Sequence, residues 1–164
     1  ETWEQLTLWI PVIDGLLVTP LGSAHPDIFL VDPMKSWLTE IAGGAPVRFA
    51  SIVITLRRGD DLRLSPDVIK IDVEHHEFSV IRGLAETIGR SRPLLIIEKS
   101  KPFLISQFLG TLSYGLFQFV APSKLYRLHI DSETASSSLP LNLIGFPEEG
   151  LGNWTDRLGL RVMA

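Results

Sequence analysis

The feature that most constrains this chain is a pair of apolar runs separated by a helical pattern. The runs are residues 68–73 and 94–98, and each has the length of one buried strand. Residues 76–90 lie between them and carry apolar side chains at helical spacing, which predicts an amphipathic helix. Two strands joined by a helical crossover pair in parallel, with a right-handed connection. The sequence therefore predicts an α/β fold built around this strand–helix–strand unit.

Weaker patterns on both sides of this unit predict the other elements. Before it we expect strands at residues 6–13 and 47–56, a brief extended segment at 28–31 and a helix at 34–42. After it we expect helices at 103–113 and 154–158, a hairpin of 116–120 with 124–130, and a last strand at 141–146. Pro11 lacks a backbone donor, so we place the first strand at a sheet edge or a bulge.

Length and composition narrow the class of protein. We predict a single domain, 1–164, in which residues 1–57 add β segments and a short helix to a core at 58–164. A net charge of -4 argues against nucleic-acid binding, because contact with phosphates needs a basic face. The absence of cysteine excludes disulfides and thiol catalysis. No run is apolar enough to span a membrane and no signal peptide is visible, so we expect a cytoplasmic protein.

Titratable residues cluster at the downstream ends of the two central strands. Asp72, Glu74 and His75 follow the first strand, and Glu98 ends the second. Because α/β sheets bind ligands at the carboxyl ends of their parallel strands, we expect these side chains to converge. A carboxylate there can act as a general base, orient a substrate hydroxyl or meet a cationic centre. The alternative is that Glu74, like Glu77, only complements the dipole of the following helix.

Two further features of this stretch also have structural explanations. Lys70 lies inside a strand, where a binding role competes with an ion pair to Asp72 or Glu98. The adjacent histidines His75 and His76 invite a metal site, but neighbouring residues point in different directions and no histidine follows at helical spacing. We therefore predict no metal ligands. The chain also has no glycine-rich phosphate loop and no nucleophile elbow.

Residues 69–98 carry a set of motifs that occurs together in a known family. The motifs are Ile69-Lys70-Ile71-Asp72-Val73-Glu74, then Phe78, Ile81, Arg82 and Gly83, then Arg92-Pro93-Leu94-Leu95-Ile96-Ile97-Glu98. Upstream lie Thr55-Leu56 and Asp60-Asp61-Leu62, and downstream lie the predicted hairpin and the strand at 141–146. In this order the motifs resemble the FkbM-type methyltransferase family over roughly residues 47–147.

The resemblance implies both a fold and an activity. The fold is a partial Rossmann-like, class I methyltransferase sheet of parallel strands with a C-terminal antiparallel hairpin. The activity is transfer of a methyl group from S-adenosylmethionine (SAM) to a hydroxyl of a small molecule or sugar. Asp72 and Glu74 would be catalytic, and Asp72 with His75 would bind the cofactor. Lys70 and Glu98 would support the substrate.

Two departures from the family pattern lead to further expectations. His75 stands where the family has a glycine, a residue that permits a positive φ or the close approach of a ligand. The family's SAM loop would precede Glu1, so the chain resembles the C-terminal, substrate-side part of the domain. Strand 68–73 would then have an open apolar edge, which natural proteins avoid. We expect the N-terminal segment, a partner chain or a missing part of the protein to cover it.

Two other functions stay open at this point. One is a catalytically inactive, truncated or degenerate methyltransferase-like domain that acts as a folding or interaction module. The other is a metal-dependent transferase that uses Asp72, Glu74 and a histidine. Calorimetry with SAM separates the inactive domain from an enzyme, because only the enzyme requires saturable binding.

Overall fold

The computed structural model describes residues 4–73, 75–132 and 139–163, with the backbone alone at Pro20. The chain divides into two compact units, residues 1–57 and 58–164. Each unit has its own β-sheet, of three strands in the first and six in the second. The grouping of the two units into one domain stays a prediction.

The first unit is an antiparallel sheet with short helices packed around it. Its strands, in the spatial order β2-β1-β3, are β1 (Gln5–Ile13), β2 (Leu16–Leu17) and β3 (Val47–Thr55). Helix α1 (Met34–Ala42) has the predicted bounds and ends at Gly43, whose φ of 55° is the left-handed conformation common after helices. The rings of Phe29 and Phe49 pack with their centroids 5.0 Å apart.

Two predictions for the first unit are wrong. β1 is the central strand, not an edge, and its register with β3 continues through Pro11 without a bulge. The carbonyl of Pro11 accepts a hydrogen bond from the N–H of Val18, so its nitrogen faces the short strand β2. Residues 28–30 are not extended, because Pro26 begins a 3-10 helix at Pro26–Leu30, whereas Val31 after it is extended.

The second unit is a mixed sheet in the spatial order β4-β5-β8-β6-β7-β9. Its strands are β4 (Val68–Ile71), β5 (Leu94–Glu98), β6 (Tyr114–Ala121), β7 (Lys124–Arg127), β8 (Asn142–Pro147) and β9 (Arg161–Met163). β4 and β5 are parallel, as predicted, while β8 runs antiparallel to both β5 and β6. The hairpin of β6 and β7 is antiparallel. These features confirm a mixed α/β fold. The sequence pattern did not predict β9.

Helices cover both faces of this second sheet. They are α2 (Glu77–Gly83), α3 (Ala85–Ser91), α4 (Pro102–Thr111) and α5 (Leu151–Leu158). Leu95 and Ile97 of β5 are fully buried in a cluster that includes Ile81 of α2. Leu94, next to Leu95 along the strand, belongs to a second cluster, against which Ile96 of β5 and Trp154 of α5 pack. Because side chains alternate along a strand, the two clusters lie on opposite faces.

The helix predicted at residues 76–90 is interrupted. It ends as α2 at Gly83 and restarts as α3 at Ala85, with Leu84 between them at φ -112° and ψ 12°. The side chain of Leu84 packs against Gly59, where any Cβ atom would overlap it. Helical spacing continues through the break, so the pattern alone could not reveal it.

β4 is one of the two edge strands of the second sheet. This strand ends at Ile71, two residues before the predicted end, and within the described ranges it pairs with β5 alone. In the first unit β1 pairs with β2 and β3, and what covers the other edge of β4 stays a prediction. No helix in the described ranges is long and apolar enough to cross a membrane.

Candidate functional site

The carboxyl ends of β4 and β5 bring two acidic residues together. The parallel register pairs Ile71 with Ile97, so the next residues along the two strands are Asp72 and Glu98. Hydrogen bonding to Lys70, followed by hydrogen bonding with Glu98, lowers the pKa of Asp72 from its ordinary value. Lys70, Asp72 and Glu98 therefore form one group at this edge of the sheet.

Lys70 forms the ion pair that the sequence offered as the simpler explanation of its position. Its Nζ lies 2.7 Å from Oδ2 of Asp72. This contact raises the pKa of Lys70, and the charge of Glu98 adds to the effect. The side chains of Lys70 and Asp72 are 61% and 44% exposed, so the pair contributes little to stability. Its position leaves both groups accessible to a ligand.

The carboxylate of Glu77, at the start of α2, is buried. Its Oε1 accepts hydrogen bonds from the N–H groups of Val73 and His75, each at 3.2 Å. Its Oε2 accepts a hydrogen bond from the hydroxyl of Ser100, which follows β5. The side chain is completely buried. Glu77 thus does more than complement a helix dipole, because its carboxylate accepts hydrogen bonds from the preceding loop and from Ser100, which follows β5.

His75 adopts a backbone conformation that suits glycine. Its φ is 75°, in the left-handed region, where a Cβ atom crowds the backbone. The family pattern has a glycine at this place, and glycine permits a positive φ. Histidine tolerates the conformation better than a branched residue would. The cofactor role of His75 stays a prediction.

The remaining predicted site residue, Glu74, lies outside the described residues, so its catalytic role stays a prediction. Within the described ranges, no three histidine, aspartate or glutamate side chains lie close enough to share a metal ion.

Sequence reasoning missed the residue that organises the helix break. Asp60 is buried in a 3-10 helix at Gly59–Leu62. Its carboxylate accepts hydrogen bonds from the N–H groups of Glu86 at 3.2 Å and Thr87 at 2.8 Å, and so caps α3. The only sequence signal for this role is the Asp60-Asp61-Leu62 motif, which we interpreted as part of the resemblance.

The family comparison covers this same region. The model of the methyltransferase FkbM domain family matches residues 47–120, a little under half of the chain. This match confirms the family resemblance. The matched segment includes β4, β5 and every predicted site residue. Neither the curated proteins nor the solved structures contain a match to this chain.

Proposed function

We propose that this chain, whose residues 47–120 match the FkbM methyltransferase domain, forms the substrate side of a SAM-dependent methyltransferase. The proposed acceptor is a hydroxyl group of a small molecule or sugar. The observation that carries the proposal is the pairing of Asp72 with Glu98 at the carboxyl ends of two parallel strands. Ligands of α/β sheets bind at such ends.

A Rossmann-like arrangement is part of this proposal. β4 and β5 are parallel and joined through helices, and β6 runs in the same direction because β8 is antiparallel to both of its neighbours. Helices on both faces of the sheet support the same assignment. The Rossmann-like class is thus favoured by strand direction as well as by the family match.

The charge at the site fits a cationic cofactor and a hydroxyl-bearing substrate. When bound, SAM supplies an electrophilic methyl group on a positively charged sulfur. Asp72 presents an accessible carboxylate and, together with His75, would hold the cofactor. Glu98 and Lys70 lie beside it and would bind the substrate. Carboxylates at this edge can accept hydrogen bonds from hydroxyl groups of either ligand.

The lowered pKa of Asp72 limits what this residue can do. It is ionised at neutral pH and is a weak base, so it accepts a hydrogen bond from the acceptor hydroxyl and orients the oxygen. A positioned base contributes about 10²–10⁴-fold, and orientation of the two reactants contributes more. We therefore assign Asp72 mainly to orientation, with Glu74 as the second catalytic group.

A catalytically inactive, truncated or degenerate domain that acts as a folding or interaction module is the alternative. Three observations favour it. His75 introduces a side chain at a positive φ in the hallmark loop, and the second edge of β4 has no strand partner in the described ranges. The Lys70 ion pair also occupies one oxygen of the carboxylate that a ligand would use.

Isothermal titration calorimetry with SAM tests the proposal. We expect saturable binding that is weakened at least about tenfold in Asp72→Asn, since a charge-assisted hydrogen bond is lost. The matched control is Glu86→Gln, which removes an exposed carboxylate at the start of α3. If folded wild type and folded His75→Gly both fail to bind SAM, the enzyme proposal is overturned in favour of the inactive module.

A further inference from the structure

We propose that Glu77 is a positioning residue that holds Asp72 and Glu98 side by side at the ends of β4 and β5. The importance of that pair for chemistry rests on the proposed function, but the positioning itself follows from the contacts of Glu77. Asp72 and Glu98 touch one another, whereas Glu77 acts on them through the backbone.

The ladder between β4 and β5 ends just before Asp72 and Glu98. The last paired residues of β4 and β5 are Ile71 and Ile97, so Asp72 lies one residue beyond the ladder on the β4 side. Two neighbouring carboxylates repel one another when both are ionised. Something other than the ladder must therefore keep this end of β4 beside β5.

The carboxylate of Glu77 links the segments that follow the two strand ends. One of its carboxylate oxygens binds the N–H groups of Val73 and His75, directly after Asp72. The other binds the hydroxyl of Ser100, two residues after Glu98. A single rigid carboxylate thus joins the chain just beyond both acids.

The side chain of Glu77 is completely buried. A buried carboxylate is costly unless its oxygens are hydrogen-bonded, and here both are satisfied. Glu77 is the first residue of α2, yet its described bonds go to the preceding loop and to Ser100. The arrangement therefore stabilises the junction of the strand ends. His75, at a positive φ, donates its N–H to the same oxygen as Val73.

The test measures the coupling between Asp72 and Glu98. The pKa of Asp72 is followed by carbon-13 NMR, with and without Glu98→Gln, in wild type and in Glu77→Gln. In wild type, Glu98→Gln is expected to shift the pKa of Asp72, because the two acids are in contact. In Glu77→Gln we expect the loss of about half of this shift or more, because one of the two carboxylate acceptors becomes an amide donor.

The matched control is Asp60→Asn, which alters another buried carboxylate that accepts two backbone N–H bonds in the same unit. This variant should lose stability but keep the full shift of the Asp72 pKa. Ser100→Ala removes only the hydroxyl donor and should weaken the coupling to a smaller extent. It replaces Glu77→Gln as the deciding variant if the latter does not fold.

An undiminished shift in the deciding variant, or an equal loss in Asp60→Asn, overturns the positioning role. SAM calorimetry on the same samples keeps the two proposals distinguishable. A reduced shift in a chain that never binds SAM would support the role of Glu77 and contradict the enzymatic function. Binding of SAM together with an undiminished shift would support the enzymatic function and contradict the role of Glu77.

Discussion

The carboxylate of Asp60 accepts a hydrogen bond from the backbone N–H of Thr87 at 2.8 Å, which joins the turn before β4 to the first turn of α3. The two residues are separated by the whole of β4 and α2. This contact allows the chain to break one long helical pattern into two helices without leaving the amides of α3 unsatisfied.

Loss of this cap should destabilise the second unit. We expect Asp60→Ala to lower the free energy of unfolding by about 0.5–2 kcal/mol, which is the range for helix N-caps. Urea unfolding followed by circular dichroism measures the change. Asp61→Ala, at the exposed neighbouring position, is the control and should change stability by less than about 0.5 kcal/mol. Equal effects of the two variants would contradict the capping role.

Acid should weaken the same contact. Burial raises the pKa of Asp60, but hydrogen bonds from Thr87, Glu86 and Arg58 outweigh burial, so the net pKa is below its ordinary value of 3.8. A carboxyl with a lower pKa in the folded state stabilises the fold above pH 3.8, and this contribution disappears as pH falls through the folded-state value. When the pH is lowered from about 5 to about 2, wild type should therefore lose more free energy of unfolding than Asp60→Asn, because only wild type has a carboxyl that titrates at this position. Parallel pH dependences would be inconsistent with this assignment.

Relief of the left-handed backbone at residue 75 should stabilise the protein. Glycine adopts a φ of 75° without the steric cost that histidine bears, although it has more entropy to lose on folding. We expect His75→Gly to raise the free energy of unfolding by about 0.5–1 kcal/mol. His75→Ala is the matched control, because it removes the ring but keeps the Cβ atom. Chemical denaturation measures the free energy of unfolding of both variants. An alanine variant more stable than the glycine variant would refute the prediction.

Removal of the cation beside Asp72 should be visible in its titration. The hydrogen bond from Lys70 is the largest cause of the lowered pKa of Asp72, so Lys70→Met should raise that pKa toward its ordinary value. The measurement is a carbon-13 NMR titration of the Asp72 carboxyl. Lys99→Met, after the neighbouring strand, serves as the control for a general change in net charge. An unchanged Asp72 pKa in Lys70→Met would show that the ion pair does not persist in solution.

The interruption at Leu84 shows where prediction from the sequence fails. Apolar spacing locates Ile81 and Ile88 on the buried side of a helix, and both are fully buried. The spacing does not reveal that the helix breaks between them, because the break depends on Asp60 and Gly59 from a distant turn. Likewise, the sequence places Glu77 at a helix start, but its bond to Ser100 exists only after β4 and β5 have paired.

By itself, the sequence determined the α/β class, the parallel pairing of β4 with β5, and the family of its central motif. Those features depend on local spacing and residue order along the chain. The family match and the two paired strands lie within residues 47–120. The tertiary structure alone decided that Glu77 is buried against Ser100 and that Asp60 caps α3. Such features depend on the packing of chain segments that are distant in sequence, and hydrogen-bond partners of this kind leave no periodic signal along the chain.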